Sequence, residues 1–493
     1  MTLARTAARG GVITVFAQVI RIATNAVGTI VLARLLSPDA FGLMAIALVV
    51  VGLAELIRDF GLSSAALHER ELSHEQASNL FWLNAGMGVV VAATVAAIAP
   101  LVARLFHYVE LRNMLLVLSS VFLWNALSTQ FRVKINREYR FLALSLCDIA
   151  PAVIGLGLAI VMAYEGYSYW SLVGQIQATA LIGLILAALL ARWRPGPPSR
   201  KGAIGKLVRY GWHLLGTQAV TAAVKSVDTL ALGATATANL VGQYNRAYSL
   251  IMVPLGQIQA PMTRVVLPTL SRAADDREVY LAYLRKAHLV YVYFSVTLFL
   301  VGAALGPALV TFLLGPGWHT AGIVFAVLAL GGCFRSLVQV WYWTFLSLDL
   351  TRQQLRFTLV VYPLIGAFMV AGAAWGPVGV AIGHSVGFAG YWAVSLWWLM
   401  RLTGLHLGPL AKDFARVAAC FSLPAAAAAA AVGLVVTSPP MAVLAGCIAA
   451  AVATFACICV NRRVRQEVRY SLAFVKSGFS KRGSTGTNGR QGN

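Results

Sequence analysis

Acidic residues are scarce in this chain: 17 Asp and Glu stand among 493 residues, and all charged types together reach only 11%. A water-soluble body of this length would carry far more charge on its surface, so a soluble globular fold is excluded. Cysteine is rare too. The six present, Cys147, Cys333, Cys420, Cys447, Cys457 and Cys459, fall in or beside apolar stretches and have no metal-ligand spacing. That argues against a disulfide framework or a metal centre and leaves them as small packing residues. The chain also lacks a phosphate-cradling Gly loop, a nucleophile triad and paired carboxylates, and its longer polar segments gather no catalytic constellation. An enzyme is not expected, and no cofactor is.

Apolar residues are what the chain has in excess: 59% of it is hydrophobic and the mean hydropathy is +0.76. A helix crosses a bilayer with roughly 20 mainly apolar residues, because the hydrocarbon layer is about 30 Å thick and each residue rises about 1.5 Å. About fourteen segments of that kind follow one another, from 11–33 to 441–461. The expected fold is all-α and polytopic. The first segment follows only Arg5 and Arg9, as a secretory leader would, but no small-residue cleavage site follows it and more spans do. It is expected to remain as the first transmembrane helix.

The net charge of +22 has a pattern. With a cytoplasmic N-terminus, nearly all of the basic surplus falls in the inward loops and the C-terminal tail, and the outward loops are close to neutral. This asymmetry places both termini in the cytoplasm of a multi-pass inner-membrane protein. Nucleic acid is excluded as a partner, since the basic residues sit in short loops without aromatic stacking platforms. The basic tail 462–493 is expected to meet anionic membrane lipids and then to become disordered.

An offset of 200 residues lays about forty residues of the chain on a second stretch of itself without a gap. Gln18 meets Gln218, Thr29 meets Thr229, Gly42 meets Gly242, and Asp39 faces Asn239. A repeat of six spans keeps both copies in the same orientation. The expected layout is an N-terminal six-helix bundle over 1–195, a basic linker over 196–207 and a second six-helix bundle over 208–403. Two additional helices follow over 404–461, then the tail 462–493. Two parallel bundles would enclose a central cavity, and rocking them would give alternating access.

Charges deep in a bilayer cost about 3 kcal/mol or more, so each is a candidate for function or for pairing. Arg21 is mid-span, with Gln18 and Asn25 on neighbouring positions of the same helix, and a guanidinium matches phosphate oxygens with a fork of donors. Arg335 is mid-span in the tenth segment. Lys225 and Asp228 lie three apart, where they can neutralise one another, or Lys225 can face the cavity while Asp228 couples to a proton or sodium ion. Glu55 is the second candidate for ion coupling, although Glu55, Arg58, Asp59 and Asp148 lie near inner helix ends where snorkelling accounts for them. Arg132, Lys134, Arg137 and Arg140 form a basic rim suited to collecting a diphosphate at the cytoplasmic entrance. Trp341, Trp343, Tyr391, Trp392, Trp397 and Trp398 suit interfacial belts, and His213 and His384 suit packed helical positions.

Several stretches resemble one family in the right order over about the first four hundred residues. They are IVLAR at 30–34, LLSPDAFGL at 35–43, DFGLSSAAL at 59–67, NREYRF at 136–141, YNRAYSLIMVPLGQI at 244–258, VVLPTLSR at 265–272 and FLLGPGW at 312–318. The pattern resembles the polysaccharide-transport branch of the multidrug, oligosaccharidyl-lipid and polysaccharide exporter superfamily. That resemblance implies a flippase that moves an undecaprenyl-diphosphate-linked oligosaccharide across the bacterial inner membrane, beside a polysaccharide polymerase and chain-length proteins. A cation-coupled multidrug exporter or a peptidoglycan lipid precursor flippase would share the architecture. The excess of basic over acidic groups at depth favours an anionic cargo.

Overall fold

The computed structural model describes residues 3–59, 73–199 and 226–470, with side chains from Phe16 onward, and contains no strand among them. The expectations for DFGLSSAAL beyond Asp59, for Lys225 and His213, and for the tail beyond Tyr470 lie outside the described residues. The chain forms two compact units, Met1–Asn245 and Arg246–Asn493. Twelve described segments are long and apolar enough to cross a membrane, and the one over Thr351–Thr403 holds two helices. The protein is therefore a multi-pass α-helical membrane protein, as its composition predicts. An α-helix satisfies its own backbone polar groups, which lipid cannot do.

The first unit contains α1 (Leu3–Leu35), α2 (Pro38–Asp59), α3 (His74–Phe106), α4 (Glu110–Arg137), α5 (Phe141–Tyr164), α6 (Tyr169–Ala191) and α7 (Val227–Thr235). It also holds the first turns of α8 (Ala238–Arg272), which continues into the second unit. Pro38 starts α2 where a missing N–H costs nothing, and Asp39 follows in the first turn. Ser73 caps α3 by accepting from the Gln76 amide at 3.1 Å, while the Gln76 side chain returns the bond to the Ser73 amide. Lipid offers helices no hydrophobic reason to pair, so close approach depends on small residues. Gly88 of α3 lies against Ala126 and the Phe122 carbonyl of α4, and Gly155 of α5 lies against Thr179 of α6. The α4 side chains Leu111, Met114, Leu115, Leu118 and Phe122 are wholly buried.

The second unit continues with α9 (Arg277–Ala304), α10 (Gly306–Leu314), α11 (His319–Ser347), α12 (Thr351–Gly372) and α13 (Gly376–Thr403). Next come α14 (Gly408–Val417), a π turn at Ala418–Ser422, α15 (Leu423–Val435) and α16 (Pro439–Val460). The sequence reading takes 288–313 as one span, but the helix stops at Leu305 and restarts at Gly306. Pro307 in the first turn of α10 lacks the N–H that a continuous helix would use. In α12 and α13 the pairs Ile365 with Gly387, Phe368 with Gly383, and Gly372 with Gly379 are in contact, so the two helices run antiparallel. Trp341 and Trp343 were expected at an interface. They are 1% and 0% exposed, in the core beneath α8 and α9, and the Trp343 indole donates to Thr263 at 2.8 Å. Their helix, α11, is packed on most sides, so its aromatics fill the core.

Candidate functional site

Arg335 is placed by α11 among three groups from two other helices. Its Nη1 donates to the Tyr248 hydroxyl of α8 at 3.2 Å and to His384 Nε2 of α13 at 2.9 Å. Its Cζ sits 4.6 Å from the Phe388 ring centroid and 5.7 Å from that of Tyr248. His384 and Phe388 are four apart and so share one face of α13. A guanidinium only donates, so the His384 nitrogen facing it accepts and the ring is the neutral tautomer. Its other nitrogen, Nδ1, is buried without a partner among the described residues.

Weak hydration and a flat face let a guanidinium rest on rings as an ammonium would not. Arg335 has no carboxylate within ion-pair distance among the described residues, and its Nε and Nη2 make no hydrogen bond there. The cation is thus held in place without being neutralised. Sequence reasoning placed Arg335 at mid-span but missed Tyr248 and Phe388. The readable signals were the second tyrosine in YNRAYSL, Tyr248, and the four-residue spacing of His384 and Phe388.

Arg21 stands on α1 with Gln18 and Asn25, all three exposed. The spacing of three and then four residues puts them on one face, and Arg21 Nη2 donates to Gln18 Oε1 at 2.6 Å. No carboxylate pairs with Arg21 among the described residues. Arg21 belongs to the first unit and Arg335 to the second.

Asp228 is 4% exposed, and its carboxylate accepts from the Thr229 amide at 2.6 Å, the Thr229 hydroxyl at 3.2 Å and the Tyr244 hydroxyl at 3.0 Å. Lys225, its sequence-stretch neighbour, lies outside the described residues.

Three of the residues expected to snorkel, Glu55, Arg58 and Asp148, form ion pairs instead. Arg58 is 8% exposed and donates to Glu55 Oε1 at 2.8 Å and to Thr129 Oγ1 at 3.1 Å. Glu55 Oε1 also accepts from Asn125 at 3.2 Å, while Oε2 is buried without a hydrogen-bond partner. Asp148 forms an ion pair with Arg132, which also donates to the Cys147 carbonyl. The physical reason is proximity: α4 supplies Asn125, Thr129 and Arg132 next to α2 and α5, and a nearby partner competes well with a stretched path to water.

Two further rim residues meet one acid, with Lys134 Nζ at 3.1 Å and Arg140 Nη1 at 3.6 Å from Glu138. Arg140 also donates to the Leu190 carbonyl at 2.8 Å. Arg137 lies at the end of the same helix, half-buried. Arg132 thus pairs with Asp148 of α5, Lys134 and Arg140 pair locally with Glu138, and the Arg140 hydrogen bond to the Leu190 carbonyl ties this end of α4 to the end of α6. All six cysteines are free thiols, and Cys147 and Cys333 are buried.

Among the described residues the chain is helical apart from its loops, and the span guanidiniums of Arg21 and Arg335 have no carboxylate partner. Comparison with known proteins supplies the family. Residues 31–323, more than half of the chain, match the family described as polysaccharide biosynthesis protein, and the chain belongs to that family. It is 26% identical over 390 residues to the lipopolysaccharide biosynthesis protein WzxC of Escherichia coli (strain K12), covering 74% of this chain and 75% of that one. It is 23% identical over 279 residues to the amylovoran biosynthesis protein AmsL of Erwinia amylovora, covering 56% of this chain and 72% of that protein. Among solved structures it is similar to the lipid II flippase MurJ in its inward closed conformation. The TM-score is 0.67 at 13% identity, over 90% of this chain and 97% of that one. An inward-facing multidrug resistance MATE family transporter of the MOP superfamily gives a TM-score of 0.58 at 17% identity, over 78% and 95%. At such identities these two likenesses concern the fold.

Proposed function

We propose that this protein is a flippase of the bacterial inner membrane with both termini in the cytoplasm. Its cargo is an undecaprenyl-diphosphate-linked oligosaccharide, moved by alternating access for surface or exopolysaccharide synthesis. Family membership and the polysaccharide biosynthesis names of its relatives support the pathway. The observation that carries an anionic cargo is the contrast between two sets of span arginines. Arg58, Arg132 and Arg416 are matched with carboxylates, whereas Arg21 and Arg335 have none among the described residues. A phosphate group would complete the fork of either one. Transport rather than catalysis is the role proposed.

Deleting the gene and following the lipid-linked intermediate tests this. The expected result is loss of surface polysaccharide together with accumulation of undecaprenyl-diphosphate oligosaccharide on the cytoplasmic side, restored by the intact chain. Normal export without accumulation would overturn the reading.

A further inference from the structure

The helices α12 and α13 are in backbone contact at one end and held apart at the other. Gly372, Gly379 and Gly383 let the backbones touch, whereas towards the Arg356 end the bulky Phe357 and Trp398 rings stack at 4.8 Å. Between these two ends lies a trough of about 460 Å³ open along one side. Its walls are almost wholly apolar, among them Phe357, Leu364, Phe368, Tyr391 and Trp397, and a methyl built on Gly390 in its wall would touch nothing.

Positive charge gathers at the open, ring-lined end. Arg356 is part of the lining, and Arg352 stands one turn earlier on the same face of α12. The Arg401 guanidinium lies over the Trp397 ring at 5.0 Å. All three arginines are exposed, and none has a carboxylate partner among the described residues.

We propose that this trough binds an anionic phospholipid, with one acyl chain between α12 and α13 and the headgroup phosphate on Arg356, Arg352 and Arg401. Charge complementarity selects the headgroup, since forked donors at the end of an apolar channel match a phosphate at the end of a hydrocarbon chain. Length selects the chain. From Arg356 to Phe368 the helix rises ~18 Å, close to the ~15 Å of one leaflet's hydrocarbon, and the glycine contacts beyond Phe368 close the way further in. A much longer polyisoprenoid tail would have to leave the trough for most of its length. The site is separate from Arg335 and does not depend on the cargo proposed above.

Native mass spectrometry of the purified full chain tests the assignment, with phosphatidylglycerol and phosphatidylcholine of identical acyl chains added in equal amounts and undecaprenyl phosphate added separately. The intact chain is expected to retain phosphatidylglycerol over phosphatidylcholine by about fivefold or more, the size of one arginine at a charged headgroup. Arg356→Ala should lower that preference about fivefold, while Arg272→Ala, outside the trough, should leave it unchanged. Gly390→Leu should remove retention of both phospholipids by filling the trough, at an unchanged melting temperature. If Gly390→Leu fails to fold, Val394→Trp fills the same wall from an exposed position. Equal retention of the two phospholipids, or undiminished phosphatidylglycerol in either trough variant or in Arg356→Ala, would overturn the proposal. So would retention of undecaprenyl phosphate in place of phosphatidylglycerol.

Discussion

Gly42 and Gly242, 200 residues apart, pack backbone against backbone. A methyl on Gly42 would overlap the Ala238 carbonyl, and one on Gly242 would overlap the Pro38 carbonyl. Beside them Asn239 Nδ2 donates to Asp39 Oδ2 at 2.9 Å. The residues that the 200-residue offset pairs in sequence therefore meet in space, each copy of the glycine lying against the start of the other copy's helix. A local two-fold axis between the first turns of α2 and α8 accounts for this reciprocity. Only a residue without a side chain fits on that axis.

Gly42→Val and Gly242→Val should each destabilise the protein by at least about 1–3 kcal/mol, because the obstructing atoms are backbone and cannot swing away. Gly256→Ala in α8, where an added methyl meets nothing, should be neutral. Thermal unfolding in detergent, followed by circular dichroism, reads the difference, and equal melting temperatures across the three would refute the close crossing.

Arg335→Ala should abolish most export with the protein still in the membrane fraction, and should lower the melting temperature modestly, since buried His384 Nε2 loses its hydrogen-bond partner at a cost of about 1–3 kcal/mol. Arg335→Lys should restore little, as an ammonium cannot keep both the ring contacts and the paired donors. His384→Gln retains an acceptor facing Arg335 and is expected to keep more activity than His384→Leu. Quantifying surface polysaccharide in complemented deletion cells decides between these outcomes.

Arg21→Ala should reduce export without removing the protein from the membrane fraction. Loss of Gln18, which only accepts from Arg21, is expected to have the milder effect. Full export by Arg21→Ala would remove α1 from the proposed cargo path, whatever becomes of Arg335.

Glu55→Ala leaves the Arg58 guanidinium buried with only a hydroxyl partner, a loss expected to cost about 3–5 kcal/mol. Replacing both at once, as Glu55→Leu with Arg58→Met, should cost less than Glu55→Ala alone. A double-mutant cycle on the melting transition checks this, and simple additivity would argue that the pair is not coupled.

Much of the fold was legible because lipid makes one demand on every crossing segment. Long apolar runs and one-sided basic loops report that demand directly, and α2 through α6 appear near their expected places. The break between α9 and α10 was less legible, since Pro307 stands inside a run that is apolar throughout. For the candidate site, sequence depth singled out Arg21 and Arg335 as mid-span charges, and both stand well inside their helices. It could not separate these from Arg58 and Asp148, because pairing depends on whether a neighbouring helix brings a partner within a few ångströms.

By itself, then, the chain's composition and periodicity determined a helical, many-times-crossing membrane protein with paired internal stretches. These are properties of single segments in a uniform apolar solvent. The tertiary structure alone decided which charges are cancelled, which tryptophans are core and where α12 and α13 part. Each of those outcomes depends on distances between residues far apart in sequence: Arg58 with Thr129, Trp343 with Thr263, and Arg335 with His384.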